Sequence, residues 1–223
     1  MIPYEKIHNQ IVSAIVAQKL EPGARLPEDK LADSFKVSRT AIRKVLQQLA
    51  VEHLVSLEPN KGAQVKRPSI AEAQEIFDSR GLIEPQLLPM VMANFNRLHQ
   101  QNLSAIIIKE GQAKQKGDFA QLVLQTAYFH IELSRITHNR SLSQFVQQLV
   151  YRSSLIIAVY GSKHSVGCNC GNHSELLRLL EQQDSAQAMA WMTQHLEMIR
   201  QSLCLEPRPQ QSIDFDRLFS PEV

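Results

Sequence analysis

Residues 26–67 read LPEDKLADSFKVSRTAIRKVLQQLAVEHLVSLEPNKGAQVKR, and this stretch decides the architecture of the first third of the chain. Leu31, Ala32 and Phe35 recur at helical spacing and give a first helix one buried face. FKVSRT then turns tightly, with Val37 placed to plug the turn and Ser38 to cap the helix that follows. In that second helix Ile42, Val45, Leu46 and Leu49 face inward, which leaves Arg39, Thr40, Arg43 and Lys44 outward. Arg39 and Arg43 are four residues apart and share a face. A short helix with two arginines in its first turns suits the major groove of DNA, where its leading residues reach base edges and its cations neutralise phosphates. Leu54 to Val65 reads as a β hairpin turning at Pro59-Asn60-Lys61-Gly62, so that Lys61 and the flexible Gly62 stand at a tip suited to the adjacent minor groove.

Upstream, Ile7, Ile11 and Ile15, with Val12 and Val16 beside them, form the packing face of a leading helix that ends at Pro22-Gly23. Residues 1–67 hold 11 Lys and Arg against 7 Asp and Glu, whereas the remaining residues hold 13 against 15. A basic module on a mildly acidic body fits nucleic-acid binding at one end only. The chain of 223 residues is long enough for one or two domains with a sizeable core. No apolar run approaches the ~20 residues of a membrane span. The opening residues alternate charge and apolarity helically, unlike a signal peptide. Three cysteines without framework spacing point to a reducing cytoplasm.

Taken together, residues 4–67 resemble the winged helix-turn-helix of the GntR superfamily of bacterial regulators. The resemblance rests on Tyr4, Ile7 and Ile11; Pro22-Gly23 with Leu26; Leu31-Ala32; Val37-Ser38-Arg39-Thr40 with Arg43, Leu46 and Leu49; and Gly62-Ala63 with Val65. It implies that Arg39 and Arg43 read bases or phosphates and that Gly62 marks the wing contact, with Lys30, Ser38, Thr40, Lys44 and Lys61 around them. Some members carry an arginine two residues before the residue matching Leu31. Asp29 stands there in this chain, with Lys30 beside it as a phosphate contact, so base preference should differ.

Beyond Pro68 no alternating strand pattern appears. Residues 69–75 read as a linker, and helical periods follow at about 71–95, 101–115, 117–137, 141–162 and 173–203, broken near Gly111, Gly117, Asn139, 161–172 and Asp184. The expected architecture is therefore mainly α: a winged helix-turn-helix over 1–68, then an antiparallel all-α bundle over 76–205, then a tail over 206–223. The body resembles the FCD type of effector domain found in the FadR subfamily. Arg80-Gly-Leu-Ile83-Glu84, Phe129-His130 followed by Asn139, Asn172-His173 with Leu176 and Leu177, and Met192-Thr-Gln-His195 carry that resemblance over about residues 71–200.

Many FCD domains hold a divalent metal through one aspartate and three histidines, and the resemblance places those histidines at His130, His173 and His195. The family aspartate lies four residues before the first histidine, where this chain has Thr126, a poor ligand. Three readings stay open. The three imidazoles bind zinc or another divalent ion, with water or effector completing the shell; Cys170, within His164-x-x-x-Cys168-x-Cys170-x-x-His173, adds a thiolate; or the histidines line a metal-free pocket. His8, His53, His99 and His138 lack such support.

Arg80 is placed to pair with an effector carboxylate bidentately, with Tyr151 and Arg152 as further candidates on a neighbouring helix. The resemblance implies a cytoplasmic, homodimeric transcription regulator, more often a repressor, that binds a pseudo-palindromic double-stranded operator and answers to a small organic acid. Two alternatives remain. A metal-dependent hydrolase lacks a positioned base, since Glu175 points away from His173 along its helix. An architectural DNA-binding protein would have no effector.

Overall fold

A computed structural model of the chain describes residues 4–58, 62–161 and 173–204. The N-terminal module contains α1 (Tyr4–Val16), α2 (Glu28–Phe35), α3 (Arg39–Val51) and the hairpin β1 (Val55–Glu58) and β2 (Gly62–Val65). The body contains α4 (Ile70–Asn94), α5 (Arg97–Lys116), α6 (Phe119–Arg135), α7 (Arg140–Tyr160), α8 (His173–Glu181) and α9 (Ser185–Gln201). The fold class is the one the sequence predicts.

In the module the expected inward residues are all buried: Ile7, Ile11 and Ile15 on α1; Leu31, Ala32 and Phe35 on α2; Ile42, Val45, Leu46 and Leu49 on α3. Val37 packs against this cluster from the turn. Ser38 caps α3, its Oγ accepting the Ala41 amide at 3.2 Å. The hairpin pairs antiparallel from Val55 with Val65 to Glu58 with Gly62. Its sheet extends further than the sequence suggests. Gly23, in the left-handed region at φ 87°, turns the chain so that the Gly23 and Leu26 amides donate to Val65 and Ala63, and Val65 donates back to Ala24. This ties the α1–α2 connection to the wing.

Two expectations for the body are corrected. Residues 69–75 are the first turns of α4 rather than a linker. Ser69 Oγ accepts the Glu72 amide at 3.2 Å and the Glu72 carboxylate accepts the Ser69 amide at 3.1 Å, a reciprocal cap that starts the helix at once. The break expected near Gly111 does not occur. That glycine is exposed on α5, where its conformational cost of about 1 kcal/mol relative to alanine does not stop a helix held at both ends. Asn96 caps its start, and Gly117, at φ 66°, ends it. Gly117, Asn139 and Asp184 do mark boundaries, Asn139 and Asp184 as N-caps.

In the bundle α4 packs along α9 and α7, α6 lies between α5 and α7, and α8 bridges α5 and α9. Pro85 and Pro89 sit inside α4 without ending it. The buried apolar side chains run without a break from module to body. Ser13 Oγ and the Tyr128 hydroxyl lie 3.2 Å apart across the junction, and the Tyr160 hydroxyl donates to the Pro68 carbonyl at 3.0 Å. Cys204 lies three residues past the end of α9 and is exposed.

Candidate functional site

Two constellations stand out. The first is the exposed side of the module. Lys30 on α2 and Arg39, Thr40, Arg43 and Lys44 on α3 are all exposed, as the helical period requires once the opposite face is buried. Arg43 is held across the helix pair: Nε and Nη2 donate to the Glu28 carboxylate at 2.8–3.2 Å. The pair holds Glu28 below the usual carboxylate range, through the Arg43 hydrogen bond first and against a smaller burial effect. The N-terminus of α3 thus presents one tethered cation and one untethered by any described carboxylate within ion-pair reach, Arg39. Gly62, exposed at φ 79°, begins the returning strand of the wing in a conformation that a side chain would strain. Lys61 lies outside the described residues.

The second constellation is inside the bundle. His130 on α6, His173 at the start of α8 and His195 on α9 are each no more than 5% exposed, and one ring nitrogen from each lies within 4.8 Å of the others. Three helices therefore deliver one imidazole apiece to a common point. The Nε2 atoms of His130 and His195 are 3.3 Å apart. Nε2 of His173 is buried and has no partner among the described residues. A buried nitrogen without a partner is costly unless something outside the protein supplies one.

Aromatic packing holds the rings. Phe129 stacks on His173 at 4.0 Å between centroids and 11° between planes, and Trp191 stacks on His195 at 4.8 Å and 13°.

Behind the imidazoles stand two carboxylates. Glu84 Oε2 is 2.6 Å from His130 Nδ1, and both oxygens of Glu110 are 2.9 Å from His173 Nδ1. Arg80, 3% exposed, completes the chain: Nε and Nη2 donate to Glu84 at 2.5 and 3.3 Å and Nη1 donates to Ser153 Oγ at 2.9 Å. Burial alone would raise the Glu84 pKa. The Arg80 charge first, with hydrogen bonds from His130 and Arg80, overcomes it and keeps the carboxylate ionised. His130 is pushed down to about 4, by burial first, with Arg80 adding to it and Glu84 opposing. It is neutral at pH 7, the form in which imidazole ligates metal.

The donor set therefore fits a divalent ion: three imidazole nitrogens, two of the rings with an acceptor on the far side. Thr126 stands one turn before His130 on α6 and is half-buried. Cys168 and Cys170 lie outside the described residues, as does the tail from residue 205.

The pattern that defines the FCD domain matches residues 75–198, and that of the bacterial regulatory proteins of the gntR family matches residues 3–65. The chain belongs to the GntR family, with an FCD domain as its body. The Uxu operon transcriptional regulator of Escherichia coli K12 is 25% identical over 90% of this chain and 86% of its own length. The Exu regulon transcriptional regulator of the same strain is 25% identical over 96% and 91%. Among solved structures, E. coli McbR/YncC superposes with a TM-score of 0.76 at 20% identity, over 88% of this chain and 95% of that one. This GntR-family protein is thus a DNA-binding transcriptional regulator and not an enzyme. Glu175, the one carboxylate near His173 in sequence, is exposed and paired with Arg178.

The three expected effector contacts have these surroundings in the regulator. The guanidinium fork of Arg80 is engaged by Glu84, its neighbour one turn on, and through it braces His130. Tyr151 and Arg152 precede Ser153 on α7, and successive helical residues face different directions, so neither shares the side on which Ser153 meets Arg80. Tyr151 lies among Tyr128, Glu52, Arg135 and Glu132 at the module junction, where burial pushes its pKa up to about 12. Arg152 approaches Glu72 at 3.7 Å and lines a crevice with Lys66 and His53. That crevice, about 10 Å³, has room for one water and not for an organic acid. Sequence reasoning missed Glu110 altogether.

Proposed function

We propose that this regulator binds a pseudo-palindromic double-stranded operator as a homodimer in the cytoplasm, reading it with Arg39, Thr40, Arg43 and Lys44 and gripping phosphates with Lys30, the Ser38 turn and the wing at Lys61 and Gly62. Its operator affinity is set by a small organic acid that completes the shell of a divalent ion held by His130, His173 and His195. The observation that carries the second half is the convergence of three buried imidazoles, one of which leaves its inward nitrogen without a described partner. Three nitrogen ligands, with Thr126 where a carboxylate would stand, leave the site net positive when an ion is bound. An anion is then the natural completing ligand. The ion supplies Lewis acidity toward that carboxylate. The protein's residues supply orientation and a dry surround.

An effector changes operator affinity only by binding one arrangement of the two winged helices better than another. The contacts available for that run along α4 and α7. Glu84 is linked through Arg80 to Ser153 on α7, and Glu72, near the start of the same α4, accepts from Lys66 at 2.5 Å at the end of the wing. Repression is the expected sign of regulation.

The test is metal analysis of protein purified without a polyhistidine tag, beside a thermal-shift screen of small carboxylates with and without chelator. Near-stoichiometric metal and a hit abolished by chelator are expected. Hits indifferent to chelator in metal-free protein would refute the metal half of the reading. A ligand present at 100 times its Kd should add about 2.7 kcal/mol of stability.

A further inference from the structure

Position 110 is where the pattern of α5 breaks. Leu103, Ile106, Ile107 and Ala113 mark the inward stripe of that helix, and Glu110 falls on the same stripe by helical spacing. A carboxylate on an apolar stripe loses hydration, and it persists only where something recovers the loss. Here the partner is His173. Both Glu110 oxygens lie 2.9 Å from Nδ1, while Nε2 on the opposite edge of the ring belongs to the histidine cluster and has no partner among the described residues. His130 is arranged alike, with Nδ1 on Glu84 and Nε2 toward His195. The carboxylates come from α4 and α5, the ligand histidines from α6, α8 and α9.

We propose that Glu110 is a positioning residue of the metal centre: it accepts the Nδ1 proton of His173, presents the Nε2 lone pair to the ion, and with Glu84 supplies from behind the ligands the negative charge that Thr126 does not. The inference rests on the metal reading above. A carboxylate behind an imidazole fixes its tautomer and raises its basicity as a ligand. With two rings so backed, a site of three imidazole nitrogens binds a divalent ion without a ligand carboxylate and keeps positions open for an exogenous anion. The contact also recruits α5, which buries only Leu103 and Ala113 and is tied to α8 again where Gln100 donates to Glu181 at 2.6 Å.

The test uses the full chain, stripped with chelator, with zinc affinity measured by competition against a chromophoric chelator. Glu110→Gln keeps an acceptor and removes the charge, and it should weaken zinc binding about 10- to 100-fold with the melting temperature of the metal-free protein unchanged. In Glu110→Ala the ¹⁵N shifts of the His173 ring should move from the Nδ1–H tautomer toward a mixture, a change that a purely packing role would not produce. Unaltered zinc affinity in Glu110→Gln, while the parent protein takes up zinc, would overturn this inference and leave the metal centre standing. So would a loss of affinity matched by a loss of metal-free stability with the tautomer unmoved. If the parent protein takes up no zinc, the metal reading falls and this inference with it.

Discussion

Arg43 and Arg80 are both arginines gripped through two nitrogens by a glutamate, and they work under opposite conditions. Arg43 meets Glu28 on the outside of the helix pair, with its side chain 61% exposed; Arg80 meets Glu84 inside the bundle, with both side chains 3% exposed. In water such a pair contributes little and is exchangeable, because a phosphate oxygen offers Arg43 the same bidentate contact that Glu28 does. In the dry interior neither partner has a substitute. The Arg80–Glu84 pair therefore works as a fixed strut, passing orientation to His130 and, through Ser153, to α7. The same chemistry serves as a latch for a ligand in one place and as part of the scaffold in the other.

The largest effect expected from breaking that comparison is at Arg80. Arg80→Ala leaves Glu84 ionised, buried and paired with His130 alone, which should cost about 3–5 kcal/mol. Thermal unfolding should drop on the order of 10 °C for a chain of this size. A drop of only a degree or two would mean that water reaches Glu84 and that the strut is not dry.

Arg43→Ala should act in the opposite manner. The melting temperature should hold, while operator affinity falls roughly 10- to 100-fold and affinity for random duplex falls less. Equal loss on both, measured by fluorescence anisotropy at one salt concentration, would reduce Arg43 to a phosphate contact. Glu28→Gln sharpens the point: by releasing the latch it should leave operator binding intact or tighter.

How much of this was legible follows the same division. The module could be read nearly residue by residue, because its signals are local: a cap at Ser38, a turn at Val37, and a period that leaves Arg39 and Arg43 outside. The three histidines could be located as well, since each sits in a recognisable fragment. Their supports could not. Glu84 is 46 residues from His130, and Glu110 is 63 from His173, and nothing in a window of sequence couples them. Arg80 differs: its partner Glu84 is one turn along and within any window, but that the pair is buried and turned toward His130 shows only in the fold. The one available signal was Glu110 itself, a charge on the stripe of Leu103, Ile106, Ile107 and Ala113.

Between these extremes lies Ser38, a neutral polar group that serves fold and interface together. Ser38→Ala removes the hydrogen bond to the Ala41 amide and should cost about 1 kcal/mol. The same exposed amide cluster at the start of α3 faces DNA in the proposed complex, so operator affinity should fall too. Ser38→Asp separates the roles. It restores the cap and the melting temperature while placing a negative charge toward phosphate, so affinity should stay low.

The smallest effect comes from a second histidine–glutamate pair, and it tests why the first behaves as it does. His8 on α1 meets Glu52, the C-cap of α3, at 2.8 Å. Unlike His130, it has no arginine among the described residues paired with its glutamate, and the hydrogen bond to Glu52 raises its pKa above 6.5 against the opposing effect of burial. Burial pulls Glu52 upward, and hydrogen bonds from His8 and Gln48 take it below 4.5. The signs then fix the window. A raised histidine contributes stability that is present below about 6.5 and is lost as pH rises through the raised value; a lowered glutamate contributes above about 4.5 and loses it as pH falls. The pair should thus matter most near pH 5.5. The difference in melting temperature between the parent protein and His8→Asn should peak there and shrink toward pH 8, whereas a difference that is flat with pH would show that the contact holds α1 to α3 by packing rather than by charge.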